Sequence, residues 1–217
     1  MRKFYFPIRN YYNYDFENLM VRNTDDVIIM LMETMQLISV TPFTISDIQS
    51  SQKIIVCIDK MQRIFWCFDK KIISVRFPFK IKIKDSQYLK FFITNCDFEF
   101  DNRCISIIKS IFSQNNYKSY TMIDFVDIIY QNIGEEADNN FTEFIEKVIY
   151  YLLNIEYGYL RYDNDIEHAN GKLHPQNHFD INFSNSCTYK IGINNKIEVD
   201  HMIDFLDINT DSKFINI

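Results

Sequence analysis

The sequence predicts an α+β domain: an N-terminal helix and antiparallel strand meander, central helices, and a C-terminal antiparallel β-hairpin sheet with a closing helix. Three observations carry this. A helical apolar stripe stands near the start, short β-branched and aromatic runs follow it with no helix between them, and period-two alternation returns after Asn154.

The opening, Lys3 to Asn18, is aromatic and irregular. Asn23 to Ser39 reads as a helix. Asn23 or Thr24 caps it, Asp25 and Asp26 suit the positive end of its dipole, and Val27, Ile28, Leu31, Met35 and Ile38 form its stripe. Pro42 ends it. Lys53–Ile58 and Arg63–Phe68 are strands joined as a hairpin through residues 59–62. Ile72–Phe77 and Phe79–Ile83 continue the meander, with Pro78 at an edge or bend. Helices are expected over Asp101–Ser113, from the capping-box-like Thr121 to Gln131 ahead of Gly134, and over Phe141–Asn154. A winged-helix arrangement is the alternative for this region, but its presumed recognition helix, Phe141–Asn154, offers only Lys147 as a cation. By position the chain divides into a helix-plus-meander region over 1–100 and a helical, then histidine-bearing region over 101–217, expected to form one unit.

Apolar residues make up 47% and charged residues 24%, which excludes wholesale disorder. The net charge of -6 argues against gripping DNA by bulk charge, although six basic residues fall between Lys70 and Lys84. Lysines alternating at 80, 82 and 84 read as a solvated, aggregation-resistant edge. Five cysteines without a CxxC pair point to a reducing, cytoplasmic setting and to thiols buried as small apolar groups. No signal peptide or membrane span is expected: the most apolar stretch, Val27–Ile38, is short and broken by Glu33. Trp66 lies in an apolar strand and is expected in the core.

The last quarter carries the chemistry. Arg161 and Asp163 share one face of a strand beginning near Tyr157, and His178, Asp180 and Asn182 alternate with Phe179, Ile181 and Phe183 in the next. With residues 184–186 as the connection, Phe183 pairs with Cys187, Asn182 with Thr188, Ile181 with Tyr189, Asp180 with Lys190 and Phe179 with Ile191, and Gly192 faces His178. One face then holds His178, Asp180, Asn182 and Lys190 beside Arg161 and Asp163, next to a loop with His168 and His174. His201 reads as a surface or helix-end residue of a closing helix over Val199–Leu206.

Two chemistries suit these residue types. In one, His174 and His178 act as general base and acid on a ribose hydroxyl and a leaving oxygen. Arg161 or Lys190 steadies the phosphate, and Asp163 or Asp180 orients a histidine, giving a metal-independent ribonuclease. In the other, His174, His178 and Asp180 ligate a divalent metal; apart from that, no cofactor is expected. The plain alternative is a wet sheet face with an ordinary Asp180–Lys190 ion pair. There is no Gly-rich phosphate loop, GxSxG or HExxH.

The run Tyr159-Leu160-Arg161-Tyr162-Asp163, then His168 and His174-Pro175-x-x-His178, resembles the C-terminal end of a group of uncharacterised bacterial proteins. Their shared elements are an Arg-Tyr-Asp strand and a His-Pro-x-x-His motif, over about 50 residues here. Such proteins tend to belong with phage-defence, mobile-element or toxin–antitoxin genes. The resemblance implies a defence or toxin–antitoxin component, for which a protein partner from the same operon is expected; the histidine chemistry above makes RNA the expected substrate. A non-enzymatic subunit is the other class: Phe4, Tyr5, Phe6, Tyr11, Tyr12, Tyr14 and Phe16 would form its aromatic docking surface.

Overall fold

The computed structural model describes residues 1–8, 14–93, 98–113, 121–133 and 139–214; Tyr11, Tyr12 and Gly134, singled out above, and Cys96, one of the five cysteines, lie outside them. The described residues cluster into two units, and neither is one of the sequence halves 1–100 and 101–217. One contains residues 1–18, 44–77 and 157–217, the other residues 19–43 and 78–156. The helices and mostly antiparallel strands make this an α+β chain.

The first unit is built on a seven-stranded antiparallel sheet. Its strands are β1 (Arg2–Pro7), β2 (Lys53–Ile58), β3 (Gln62–Cys67), β4 (Lys71–Arg76), β7 (Leu160–Asn164), β8 (Asn177–Ile181) and β9 (Tyr189–Gly192), neighbours in that order. In β2, β3 and β4 the runs Ile54–Cys57, Ile64–Cys67 and Ile72–Val75 are buried throughout, so these strands are apolar on both faces and show no alternation. Trp66 is at 0% exposure. One face packs Tyr5, Ile55, Phe65, Ile72, Leu160, Tyr162 and Phe179 under Met202 and Ile203 of α5 (Val199–Leu206). His201 accepts from the backbone N–H of Glu198 at the start of that helix and is exposed, as expected.

The N-terminal residues differ from the reading above. Arg2–Pro7 is not irregular but pairs along its length with β2, and its rings are core, not a docking surface: Phe4, Tyr5, Phe6 and Phe16 are all buried. Alternation is hidden in this strand because apolar side chains leave it on both faces.

The second unit holds α1 (Thr24–Val40), the two-stranded sheet of β5 (Lys80–Lys84) and β6 (Tyr88–Phe92), then α2 (Asn102–Phe112), α3 (Met122–Ile133) and α4 (Asn139–Asn154). Asn23 and Asp26 close a capping box at the start of α1, and Asp101 accepts from Arg103 and Cys104 at the start of α2. The strand Phe79–Ile83 was expected to continue the meander. Instead Lys80–Lys84 leaves the large sheet after Pro78, whose missing N–H cannot serve a ladder, and pairs only with β6. The lysines at 80, 82 and 84 are exposed, and Lys82 lies 4.3 Å from the Phe92 ring centre. No helix among the described residues is long and apolar enough to cross a membrane.

Candidate functional site

Two rows of the sheet build the site. Arg161 of β7 faces Asp180 of β8, which faces Lys190 of β9; one step along, Asp163 faces His178, which faces Gly192. The expected register between β8 and β9 is present from His178 to Ile181. It stops there: Asn182 takes a left-handed backbone (φ 65), which asparagine tolerates, and Ser184 accepts from Cys187 and Thr188 in a turn. The ladder pairs expected for Asn182 with Thr188 and Phe183 with Cys187 are therefore absent, and the Phe183 ring instead meets Tyr159 edge-on at 5.7 Å.

Because side chains alternate along a strand, Arg161, Asp163, His178, Asp180 and Lys190 all rise from one face, opposite α5. Arg161 Nε donates to Asp163 Oδ2 at 2.7 Å, and its Nη2 donates to Asp180 Oδ2 as well. Lys190 Nζ donates to Asp180 Oδ1 at 2.7 Å and stands 2.8 Å from His178 Nε2. Burial opposes the Arg161 charge, but Tyr159 and the two carboxylates outweigh it and raise its pKa above the ordinary arginine value. Lys71, the register partner of Asp163, is shifted the other way: its burial lowers its pKa despite that carboxylate.

His178 is 1% exposed. Its Nδ1 lies 2.8 Å from the carbonyl oxygen of Pro175. A carbonyl only accepts, so Nδ1 carries the hydrogen; the Lys190 ammonium only donates, so Nε2 presents its lone pair. That lone pair sits 3.6 Å from Asp163 Oδ2 and 3.9 Å from Asp180 Oδ1. One donor atom from each of Asp163, His178 and Asp180 falls within 4.8 Å of the others. Bonds of about 2.1 Å set the ligands of a divalent ion roughly 3–4 Å apart, so the spacing suits one.

Of the residues singled out beforehand, Arg161, Asp163, His178, Asp180 and Lys190 come together. His174 touches the group only by an edge-on contact with the His178 ring, centres 4.8 Å apart. Its Nε2 is buried without a hydrogen bond, with Asp165 Oδ2 at 3.4 Å. His168 is an exposed partner of Asp165 and takes no part. Two contributors were missed. Pro175 entered above only as part of the His-Pro-x-x-His motif, and its carbonyl sets the imidazole. Tyr159, 4% exposed, brings a buried hydroxyl that interacts with Arg161. Burial raises its pKa, and the charges of Asp163 and Asp180 add to the shift while Arg161 opposes it.

No family model, curated protein or solved structure matches the chain.

Proposed function

We propose that Asp163, His178 and Asp180 form a divalent-metal site at which a phosphodiester, taken here as RNA, is hydrolysed, as part of a bacterial defence or toxin–antitoxin system. The observation that carries this is the state of His178: its Nδ1–H is tied to a backbone carbonyl, and its Nε2, which faces the Lys190 ammonium, lies within 4 Å of a carboxylate oxygen of both Asp163 and Asp180. Metal-ligating histidines are held in this way, because the outer hydrogen bond fixes both tautomer and ring direction.

Charge supports the substrate class. Without an ion, Arg161 and Lys190 balance Asp163 and Asp180. A divalent ion adds positive charge at this spot and makes it attractive to a phosphate, which an acidic chain cannot draw in by its overall field. The acid–base pair of His174 and His178 is less well supported. Edge-on ring contact leaves no room for a phosphate between them, and the almost fully buried His178 has both nitrogens engaged.

The test is cleavage of a labelled RNA oligonucleotide by untagged protein with Mn²⁺ or with EDTA. Cleavage should need the metal and disappear in Asp163→Asn and Asp180→Asn. Cleavage in EDTA that depends on His174 would reinstate the histidine pair, and binding of no metal at all would remove the proposal.

A further inference from the structure

We infer that Lys190 is a built-in rival of the metal: its ammonium occupies the cation position among His178 and Asp180, and it leaves when a divalent ion enters. This rests on the metal reading above and adds its regulation. The ammonium makes two contacts, at 2.8 Å to His178 Nε2 and at 2.7 Å to Asp180 Oδ1, and these are the same atoms that would have to face an ion. An ammonium and a metal cannot share one imidazole lone pair, so binding is an exchange.

The architecture permits the exchange. Lys190 lies on β9, an edge strand of the sheet, and its side chain is 35% exposed, whereas His178 is 1% and Asp180 9% exposed. The carboxylates and imidazole are fixed from below by Arg161 and Pro175, while the lysine is long, flexible and open to solvent on one side. Arg161 stays: its planar fork bridges Asp163 and Asp180 and ties them in place. Exchange replaces one unit of positive charge by two and frees the ammonium beside the ion. The emptied site is thus neutral and closed to anions. The loaded site carries an excess positive charge with a mobile lysine next to it, so anionic substrate is drawn in only after metal.

The experiment measures Mn²⁺ binding to full-length untagged wild type and Lys190→Met, by the loss of the free-ion electron paramagnetic resonance signal. Wild-type Lys190 is acetylated in parallel with and without Mn²⁺ and read by mass spectrometry. Exchange requires Lys190→Met to bind Mn²⁺ roughly ten-fold more tightly, the equivalent of about 1.4 kcal/mol of removed competition. Lys190 in the wild type should become several-fold more reactive when Mn²⁺ is added. Equal affinities with unchanged Lys190 labelling overturn the exchange while leaving the metal site standing. Binding of Mn²⁺ by neither protein overturns both. If Lys190→Met fails to fold, the labelling of wild-type Lys190 still decides the matter.

Discussion

A Cβ placed on Gly192 would stand 2.7 Å from Cγ of Pro175. Gly192 is the register partner of His178, and Pro175 is the residue whose carbonyl holds the His178 imidazole. The missing side chain on β9 is therefore what lets the loop close over β8. The Pro175 ring is rigid, so it cannot yield as a flexible side chain would. Gly192→Ala is expected to push the loop outward and to destabilise the protein by about 1–3 kcal/mol, the usual cost of forcing an extra carbon into packed space. Urea unfolding measures this, and the same variant should bind Mn²⁺ less tightly because the tautomer lock on His178 is loosened.

The site was legible where chemistry follows the strand period. Arg161 with Asp163 and His178 with Asp180 were expected on common faces, and the facing of Asp180 by Lys190 and His178 by Gly192 follows from pairing like with like across a turn. What the alternation could not reveal was carried by backbone: the Pro175 carbonyl has no side-chain signature, and the left-handed Asn182 ended the ladder sooner than side-chain polarity implied. The fold was legible for helices with caps, as at Asn23 and Asp101, and for β2 to β4. It was not legible for β1. Its buried run is only Phe4–Phe6, without the β-branched residues that mark β2 to β4, and its rings look like an interface until the sheet covers them. The interleaving of the two units was equally hidden, since it depends on contacts between residues far apart in the chain.

Asp180 is the residue on which the charge balance turns. It accepts from both Arg161 and Lys190 and is nearly buried, whereas among the described residues Asp163 has only Arg161 as a hydrogen-bonded cation. Asp180→Asn leaves two cations facing a single carboxylate in a poorly hydrated spot. Breaking a buried pair from one side costs about 3–5 kcal/mol; Arg161 and Lys190 are partly solvated, so about 2–3 kcal/mol is expected here. Asp163→Asn should cost less. Parallel urea titrations check the order, and a larger loss from Asp163→Asn would mean that Lys71 shapes the balance more than Lys190 does.

His174 separates the two chemical readings of the site. Its Nε2 is buried without a hydrogen bond, and its ring lies edge-on to His178. His174→Phe keeps a ring in that contact and removes a buried nitrogen without a hydrogen bond together with its 3.4 Å contact to Asp165, so stability should change by no more than about 1 kcal/mol. Mn²⁺ affinity should stay within roughly two-fold of wild type, since phenylalanine still packs the imidazole from the side. A loss of metal binding, read by the same resonance titration, would put His174 among the ligands after all.

The buried thiols set the alkaline limit of stability. Burial pushes Cys57, Cys67 and Cys104 up to about 12, while a thiol in an unfolded chain ionises near 8.5. Between those values the unfolded chain releases protons that the folded chain retains. Stability is therefore intact below the unfolded pKa and falls as pH rises toward the folded one. Urea midpoints should decline from pH 8.5 upward, and Cys57→Ala with Cys104→Ala should flatten that decline relative to wild type after allowing for their lower starting stability. The same burial predicts the pattern of alkylation. Cys187 is exposed, so a brief iodoacetamide pulse on native protein followed by peptide mapping should label it ahead of Cys57, Cys67 and Cys104. Early labelling of Cys57 or Cys104 would mean that the strand or helix carrying it opens far more readily than its complete burial implies.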